Sequence, residues 1–280
     1  MPEWMSPQRT AVVTGAAGGI GFEIARRCVR AGMQVAIADI KETLSAAHDQ
    51  LADEAADANN VFSQKCDVSD RAQMEAFKED VGARFGNVHC LVNNAGIAKR
   101  GTPPWEGLDA LDTIMGINFK GVVHGCHAFI PGMLAHGEVG AVINTGSKQG
   151  ITRPPGNYAY NLSKAAVVGY TEAVSHGFVT QENCHLTAHL LVPGFVYTPM
   201  ISAFVPQKPE IAATPEETVD YLLAQLEKGA FYIICPDGET SRPIDEKRIQ
   251  WAADDIIKNR SAMSRWHPDY KEAFEAFMAS

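Results

Sequence analysis

Short apolar runs alternate with segments of helical length along most of this chain, and this alternation constrains the fold more than any other feature. The runs are TAVVTG (10–15), QVAIAD (34–39), VFSQKC (61–66), VHCLVNN (88–94), GAVINTG (140–146), HLTAHLLV (185–192) and, as a seventh, FYIIC (231–235). Helix-like stretches at 19–31, 42–57 and 69–85 separate the first four runs. Strands that alternate with helices form βαβ units. The sequence therefore predicts an α/β fold with a doubly wound, mostly parallel sheet of about seven strands.

The organisation of the 280 residues favours a single domain over 1–280. Hydrophobic residues make up 46% of the chain and charged residues 20%, which is enough for a full core. No linker, repeat or low-complexity tract interrupts the sequence. Three prolines in the poorly periodic stretch 200–215 predict a loop or lid there. The last residues, 243–280, are predicted to form a helical C-terminal extension.

Charge and composition exclude several classes of function. The net charge is −9 and there is no basic stripe, so we expect neither nucleic acid nor membrane as a partner. The opening MPEWMSPQR lacks the apolar run of a secretory signal, and AFYIIC (230–235) is too short to span a bilayer. Six cysteines without CxxC spacing are typical of reduced thiols, which predicts a cytoplasmic location. The histidine pairs have no third ligand nearby in sequence, so no metal site is predicted.

A glycine-rich turn, TGAAGGIG (14–21), follows the first predicted strand and opens the first predicted helix. Gly15, Gly19 and Gly21 permit a tight turn and a close approach of the backbone to a pyrophosphate at the positive end of the helix. Such a turn alone is weak evidence, because it equally fits a plain tight turn.

Asp39 strengthens the nucleotide interpretation. It ends the second predicted strand, 24 residues after Gly15. A carboxylate there can accept hydrogen bonds from both ribose hydroxyls of NAD, and it repels the 2′-phosphate of NADP. Position 40 is Ile40, which offers that phosphate no positive charge. The alternative is that Asp39 is an ordinary turn residue. We predict NAD as the cofactor.

The stretch GNYAYNLSKAA (156–166) holds two tyrosines and one lysine. Tyr160 and Lys164 are four apart and share a helix face, whereas Tyr158 is six residues from the lysine and points away. A nearby ammonium favours tyrosinate, so Lys164 is expected to lower the pKa of Tyr160. A tyrosine tuned in this way can exchange a proton with an alcohol or ketone. Tyr–Lys pairs at this spacing are nevertheless common on helices that have no such role.

Two further polar residues accompany this pair. Ser147 follows the fifth predicted strand, 13 residues before Tyr160, and its hydroxyl could hold a substrate oxygen. It could equally be a helix or turn cap. Asn118 lies in the helix-like stretch IMGINFKG, where asparagine is a poor helix former. Its position fits either a local kink or a polar role in a proton path.

The ordered set of motifs resembles the short-chain dehydrogenase/reductase family. It comprises TGxxxGxG, Asp39, CDV (66–68), NNAG (93–96), Asn118, Ser147, Tyr160-x-x-x-Lys164 and PGFVYT (193–198). The resemblance implies a Rossmann-type fold with Asn118, Ser147, Tyr160 and Lys164 as catalytic residues, and Tyr160 as the acid/base. It implies that Asp67 binds the adenine amino group, that Asn93 and Gly96 line the adenosine side, and that Val196 and Thr198 meet the carboxamide. The full cofactor-binding set that it implies is Gly15, Gly19, Ile20, Gly21, Asp39, Asp67, Val68, Asn93, Gly96, Tyr160, Lys164, Val196 and Thr198.

The C-terminal part departs from the family pattern. CPDGET (235–240) stands where the family usually has a G…DGG stretch, and the helical tail follows it. That region normally helps to build a tetramer interface, so a homodimer and a homotetramer are both expected alternatives. The tail carries aromatic residues, and we expect them to pack on the core or on a neighbouring subunit rather than to cover the substrate mouth.

The expected substrate is a bulky hydrophobic or aromatic secondary alcohol or ketone. The segments that line the pocket in this family are apolar and proline-rich here, with Trp105, Met200 and Phe204 as candidate walls. The stretch GSKQGITRPPGNYAYNLSK and the WHPDY tail are also similar to bacterial relatives that oxidise benzylic alcohols of lignin-derived aryl ethers. The cations near the mouth, Lys99, Arg100, Lys148 and Arg153, are interpreted as ordinary solvated surface.

Three hypotheses follow. The first is an NAD-dependent short-chain alcohol dehydrogenase. The second is an NADP-dependent 3-ketoacyl reductase, against which Asp39 and the net charge of −9 both count. The third is a non-catalytic NAD-binding regulatory protein, whose signature would be a broken tetrad, and all four tetrad positions are filled here.

Overall fold

The computed structural model describes residues 1–238 and 240–280. Within them, seven strands form one parallel sheet in the order β3-β2-β1-β4-β5-β6-β7. The strands are β1 (Thr10–Thr14), β2 (Gln34–Asp39), β3 (Val61–Lys65), β4 (Cys90–Asn93), β5 (Gly140–Thr145), β6 (Leu186–Val192) and β7 (Tyr232–Ile234). Each of the seven apolar runs contains one of these strands, so the predicted doubly wound α/β fold is confirmed.

Helices connect the strands and cover the sheet. They are α1 (Gly19–Arg30), α2 (Leu44–Glu54), α3 (Arg71–Phe85), α4 (Leu108–Met115), α5 (Gly121–His136), α6 (Lys148–Thr152), α7 (Tyr158–Thr180), α8 (Pro199–Ser202), α9 (Pro215–Leu226), α10 (Arg242–Ile257) and α11 (Lys271–Ala279). Local sequence sets several helix ends. Asp70 caps α3 by accepting hydrogen bonds from Ala72 N and Gln73 N, and Thr214 begins α9 with a capping box closed by Glu217.

Two apolar clusters lie on opposite faces of the sheet. One joins α1, α2 and α9 to the sheet through residues such as Ile24, Leu51 and Leu222. The other joins α3, α5 and α7 through residues such as Phe77, Phe129 and Val167. Because both faces are covered, the strands are nearly continuous apolar runs, as is usual for buried parallel sheets. None of the described helices combines the length and apolar character needed to cross a lipid bilayer.

The strand order reverses direction between β1 and β4. The chain moves outward from β1 to β2 and β3, and then returns to the other side of β1 with β4. The connections that leave the carboxyl ends of β1 and β4 therefore diverge and leave a crevice between them, which is where open α/β sheets bind ligands. The polar residues predicted at strand ends are all brought to this edge.

The short helix α8 ends at Ser202 in the stretch 200–215, and no helix or strand is described between Ala203 and Thr214. A parallel bridge joins Ala213, near the end of this stretch, to Val196, which precedes it. The loop predicted here is thus confirmed, with one turn of helix at its start.

The C-terminal extension folds back on itself around one tryptophan. Trp251 of α10 is 4% exposed and packs its ring against Phe274 and Phe277 of α11, with ring-centroid distances of 5.3 and 5.2 Å. The Arg260 guanidinium lies 3.9 Å from the centre of the same ring, and the indole N–H donates to Ser264 Oγ at 2.8 Å. These three aromatic residues of the tail therefore pack against one another within the chain.

Trp251→Ala should lower the free energy of unfolding by about 3–5 kcal/mol, because it leaves a cavity beneath α11. Urea denaturation followed by circular dichroism measures this. Trp105 is 83% exposed, and Trp105→Ala is the matched control, with an expected change within about 0.5 kcal/mol. An equal effect of the two substitutions would contradict the packing described here.

Candidate active site

The glycine-rich turn forms one wall of a cleft at the carboxyl edge of the sheet. Gly15, Gly19 and Ile20 line it, together with Gly18, which precedes α1. Gly15 has φ of +66°, and a Cβ there would lie 2.6 Å from Ala95 Cα, so a larger residue would push β1 and β4 apart. The first turn of α1 has no acidic residue and no side-chain cap. Its N–H groups are therefore free to bind an anion.

Gly21 has a packing role rather than a lining one. It is not among the described residues that face the cleft, and a Cβ there would lie 2.4 Å from Gly15 O and 2.5 Å from Asn94 Nδ2. The glycine thus lets α1 approach the turn that precedes it, which is the close packing that this position of the motif requires.

Asp39 lies at the end of β2 beside the glycine-rich turn. Its Oδ2 accepts a hydrogen bond from Ala17 N at 3.0 Å, and its Oδ1 accepts from Ile40 N and Lys41 N at 2.8 and 3.1 Å. The carboxylate therefore has a fixed orientation while still lining the cleft. Ile40 and Lys41 line the cleft as well, so a lysine that the sequence analysis did not consider borders the same region.

The segment after β3 forms the adjacent part of the wall. Asp67 and Val68 both line the cleft. Asp67 Oδ1 accepts hydrogen bonds from the amide and the hydroxyl of Ser69, at 2.9 and 2.7 Å, which orient the carboxylate. Val68 is 5% exposed and also contacts the helical face that begins at Gly121.

Of the NNAG motif, the structure brings Asn94, Ala95 and Gly96 to the cleft, whereas Asn93 is not among its described lining residues. Asn93 is 2% exposed and donates to Asn144 Oδ1 at 2.9 Å, which joins β4 to β5 beneath the site. Strand alternation explains the difference, because successive side chains point to opposite faces. Asn94 donates to Thr14 O and Gly15 O at 3.3 and 3.1 Å and so holds the glycine-rich turn.

Asn118 lies in a π-helical turn, Gly116–Lys120, between α4 and α5, and it is fully buried. Its Oδ1 accepts from Ile97 N at 2.8 Å, and its Nδ2 donates to Ile97 O at 3.0 Å and to Ser163 Oγ at 3.1 Å. The widened helical turn thus carries a side chain that forms two hydrogen bonds with the backbone of Ile97. Gly96 lies between Asn118 and Lys164, since a Cβ on it would be 3.3 Å from Asn118 Oδ1 and 3.6 Å from Lys164 Nζ.

Ser147 and Lys148 follow β5. Ser147 lines the cleft and also caps α6, because its Oγ accepts a hydrogen bond from Gln149 N at 3.2 Å. Lys148 was interpreted as solvated surface, and that interpretation is wrong. Its side chain is 15% exposed, because its ammonium forms ion pairs with Asp237 and Asp245.

Tyr160 and Lys164 meet in the first two turns of α7. Lys164 Nζ lies 5.9 Å from the centre of the Tyr160 ring and donates to Thr145 O at 2.7 Å. Both side chains line the cleft, Lys164 with only 4% of its surface exposed. Tyr158 is directed elsewhere, since its hydroxyl donates to Glu106 O at 3.0 Å.

The electrostatics of this pair differ from the expectation. Burial raises the pKa of Tyr160, and the Ser147 hydroxyl lowers it in part. The predicted lowering by the ammonium is therefore wrong for this structure. The same burial lowers the pKa of Lys164 to about 8, because a charged ammonium loses water there and gains one carbonyl. Desolvation is the largest cause of both pKa shifts.

The last wall is the segment after β6. Val196 and Thr198 line the cleft, followed by Pro199, Met200 and Ile201. Of the three candidate substrate walls, Met200 lies in the cleft. Trp105 and Phe204 are 83% and 61% exposed and are not among the described residues that line it. No cluster of three or more potential metal ligands occurs within the described residues.

A family model described as short chain dehydrogenase matches residues 9–209. This match covers every strand from β1 to β6 and the whole cleft wall described above. The chain belongs to this family. Its C-terminal extension lies beyond the matched residues, consistent with the departure seen in the sequence.

Known proteins are similar to the chain at moderate identity. Two proteins of Mycobacterium tuberculosis strains, both named putative oxidoreductase SadH, are 37% identical over 59% of this chain and 59% of their own length. The 2-(R)-hydroxypropyl-CoM dehydrogenase of Xanthobacter autotrophicus is 33% identical over 69% of this chain and 76% of its own length. The chain thus spans less than two thirds of the length of the first of these relatives.

Two solved structures are similar over nearly their whole length. A short chain dehydrogenase/reductase from Burkholderia phymatum in complex with NAD has a TM-score of 0.82 and 27% identity, and the match covers 92% of this chain and 97% of that one. An alcohol dehydrogenase from Thermococcus sibiricus complexed with 5-hydroxy-NADP has a TM-score of 0.72 and 25% identity, with 84% and 98% covered. Both nicotinamide cofactors thus occur among similar structures.

The burial of Lys164 predicts a pH-dependent stability. Its pKa falls from 10.5 to about 8 in the folded chain, so below pH 8 folding buries a charge, and between about 8 and 10.5 the unfolded chain binds more protons. The contribution of Lys164 to the free energy of unfolding therefore rises with pH between about 8 and 10.5. Lys164→Met should be more stable than the parent protein by about 1–3 kcal/mol near neutral pH, and the advantage should shrink toward pH 10.5.

Urea unfolding of both proteins near neutral pH and near pH 10.5 measures this difference, and other titrating groups cancel in the comparison. Lys228→Met is the control, because Lys228 is exposed just after α9 and folding does not bury its ammonium. A constant advantage of Lys164→Met at both pH values would contradict the assigned burial of its charge.

Proposed function

We propose that this protein is an NAD-dependent oxidoreductase that interconverts a secondary alcohol and its ketone. The observation that carries the proposal is the buried Lys164, whose ammonium lies 5.9 Å from the Tyr160 ring centre in the same cleft as the glycine-rich turn. A desolvated lysine is unfavourable for folding, so its presence beside a tyrosine in a cleft favours a chemical role over a structural one.

The residues of the cleft fit a nicotinamide dinucleotide. The uncapped start of α1 offers N–H groups to a pyrophosphate, and Gly15 permits a close approach. Asp39 and Asp67 border the region where an adenosine would lie, and both carboxylates are already oriented by backbone or hydroxyl donors. Lys164, with Val196 and Thr198 opposite, would hold the nicotinamide end. When bound, NAD would accept or return the hydride at the substrate carbon.

The chain's own residues account for the proton. In the oxidation direction, the Tyr160 phenolate takes the proton of the substrate hydroxyl as the C–H bond breaks, and in reduction the phenol returns a proton to the ketone oxygen. We assign Ser147 the role of orienting that oxygen, since it lines the cleft and its hydroxyl lowers the pKa of Tyr160 in part. Burial raises the pKa of Tyr160, which favours the protonated phenol, the form that gives a proton to the ketone oxygen in reduction.

Asn118 would support the part of this site that contains Lys164. Its side chain holds the backbone at Ile97, and it faces Lys164 across Gly96. We assign it the role of fixing the lysine side of the site and supporting a water-linked proton relay from Lys164.

A bulky hydrophobic or aromatic substrate is supported by the wall beyond Ser147. Met200 and Ile201 line the cleft, and Ile97 and Ile117 add further apolar surface on the other side. An apolar wall around a few polar groups is the usual composition of a small-molecule site. The similar protein from Xanthobacter is named for a secondary alcohol substrate, which agrees with the reaction class.

The choice of NAD over NADP depends on Asp39. Its carboxylate is held by three backbone amides at the end of β2, where it would repel a 2′-phosphate. Lys41 is the one feature that favours NADP, because its side chain borders the same part of the cleft. The NAD-bound similar structure supports the assignment, and the NADP-type complex makes it worth testing directly.

Tyr160→Phe should reduce kcat/KM for alcohol oxidation by about 10²–10⁴-fold and leave the dissociation constant of NAD nearly unchanged, because only the proton-transferring hydroxyl is lost. Steady-state assays of NAD reduction and calorimetric titration with NAD measure the two quantities. Tyr158→Phe is the matched control, since its hydroxyl bonds to Glu106 O. Turnover retained in Tyr160→Phe would refute the assigned role.

Asp39→Ala combined with Ile40→Arg should shift the ratio of kcat/KM values for NAD and NADP by about 100-fold toward NADP, because a like-charge repulsion is replaced by an attraction. Asp39→Asn removes the negative charge but keeps the side-chain shape and a hydrogen-bond acceptor for the amides, so it measures the effect of the charge alone. We expect it to weaken the NAD preference by a smaller factor. An unchanged ratio in the double variant would show that another residue, such as Lys41, sets the preference.

A further inference from the structure

A buried ion cluster joins the C-terminal extension to the cleft. It consists of Lys148, Asp237 and Asp245, whose side chains are 15%, 15% and 5% exposed. Lys148 Nζ lies 2.5 Å from Asp237 Oδ1 and 2.6 Å from Asp245 Oδ2. Lys148 is the residue after Ser147, whereas Asp245 belongs to α10. One lysine thus connects α6 to two separate parts of the C-terminal region.

The cluster also fixes the cleft segment that follows β6. Asp237 Oδ2 accepts a hydrogen bond from Phe195 N at 2.6 Å. Its carboxylate lies directly against Gly194, since a Cβ there would be 2.3 Å from it. The backbone of Lys148 contributes as well, because its N–H donates to Pro193 O at 3.2 Å. The backbone from Pro193 to Phe195 is therefore held through one side chain and one main-chain bond.

We propose that Lys148 is a positioning residue through which the C-terminal extension sets the geometry of the cleft. The inference rests on the proposed function for its catalytic consequence. Ser147 caps the helix that Lys148 begins, and Pro193 and Gly194 line the cleft just before Val196 and Thr198. Holding Lys148 between two carboxylates fixes both walls relative to each other. Asp245 is the extension's contribution to this arrangement.

The charge balance of the cluster supports this assignment. Lys148 has two carboxylate partners, and Asp245 is buried enough that its pKa is raised above the ordinary value despite the lysine. A buried charge without a partner is strongly unfavourable, so the cluster resists rearrangement. A displacement of about 1 Å in a site that positions a substrate can cost about 100-fold in rate.

The test compares four variants of the full chain. Lys148→Met removes the cation, Lys148→Arg keeps it, and Asp245→Asn removes only the partner in the extension. Asp254→Asn is the matched control, because Asp254 lies in the same helix, is 8% exposed and pairs with a lysine, Lys258, rather than with the cluster. Circular dichroism establishes which variants are folded.

The first readout is hydrogen exchange of the Phe195 amide in the protein alone. Exchange should be about tenfold faster or more in Lys148→Met and Asp245→Asn than in the control, because the Asp237 acceptor loses its anchor. The second readout is catalysis with a secondary alcohol and NAD. In the same two variants kcat/KM should fall about 10-fold to 100-fold, mainly in kcat, with partial recovery in Lys148→Arg.

The outcomes separate this inference from the proposed function. Faster exchange at Phe195 without alcohol oxidation by the parent protein would support the positioning role and overturn the proposed function. An active parent protein whose Lys148 and Asp245 variants match Asp254→Asn in both readouts would overturn the positioning role. If Lys148→Met does not fold, Asp245→Asn decides by the same two readouts.

Discussion

The site depends on the burial of one lysine at the carboxyl edge of the sheet. Lys164 is 4% exposed, and its ammonium has Thr145 O as a hydrogen-bond acceptor at 2.7 Å. Several other residues lie around that charge. Asn118 and Gly96 border it on one side, the Tyr160 ring lies 5.9 Å away, and the end of β5 supplies its acceptor. Desolvating this ammonium costs free energy, which the rest of the folded structure must offset.

Much of the fold could be predicted from the sequence, because its signals are local. Buried parallel strands are continuous apolar runs, and each predicted run contains a strand. The positions of the glycine-rich turn and Asp39 could also be predicted, since both lie at the carboxyl ends of strands that share one edge of the sheet. Lys41, one residue beyond the position considered for a cation, was not predicted to border the cleft. The helical spacing of Tyr160 and Lys164 was enough to place them on one face, where the structure has them.

What could not be predicted depends on long-range packing. The predicted direction of the pKa shift of Tyr160 was wrong, because burial is set by the whole cleft and not by the helix that carries Tyr160 and Lys164. Asn93 and Asn94 were not distinguished, since strand alternation assigns them opposite faces only once the end of β4 is known. Lys148 was taken as surface because its partners, Asp237 and Asp245, are 89 and 97 residues away in sequence. Only the tertiary structure joins them.

The proposed function is hydride transfer between a secondary alcohol and NAD in this cleft. The most direct test is to follow the absorbance of reduced nicotinamide while the protein is offered NAD, and separately NADP, with a panel of alcohols. The panel would run from short aliphatic alcohols through 1-arylethanols and a lignin-type β-aryl ether alcohol to a β-hydroxyacyl thioester. We expect reduction of NAD with the aryl alcohols. Turnover of the thioester with NADP, or no turnover of any alcohol with either cofactor, would refute the proposed function.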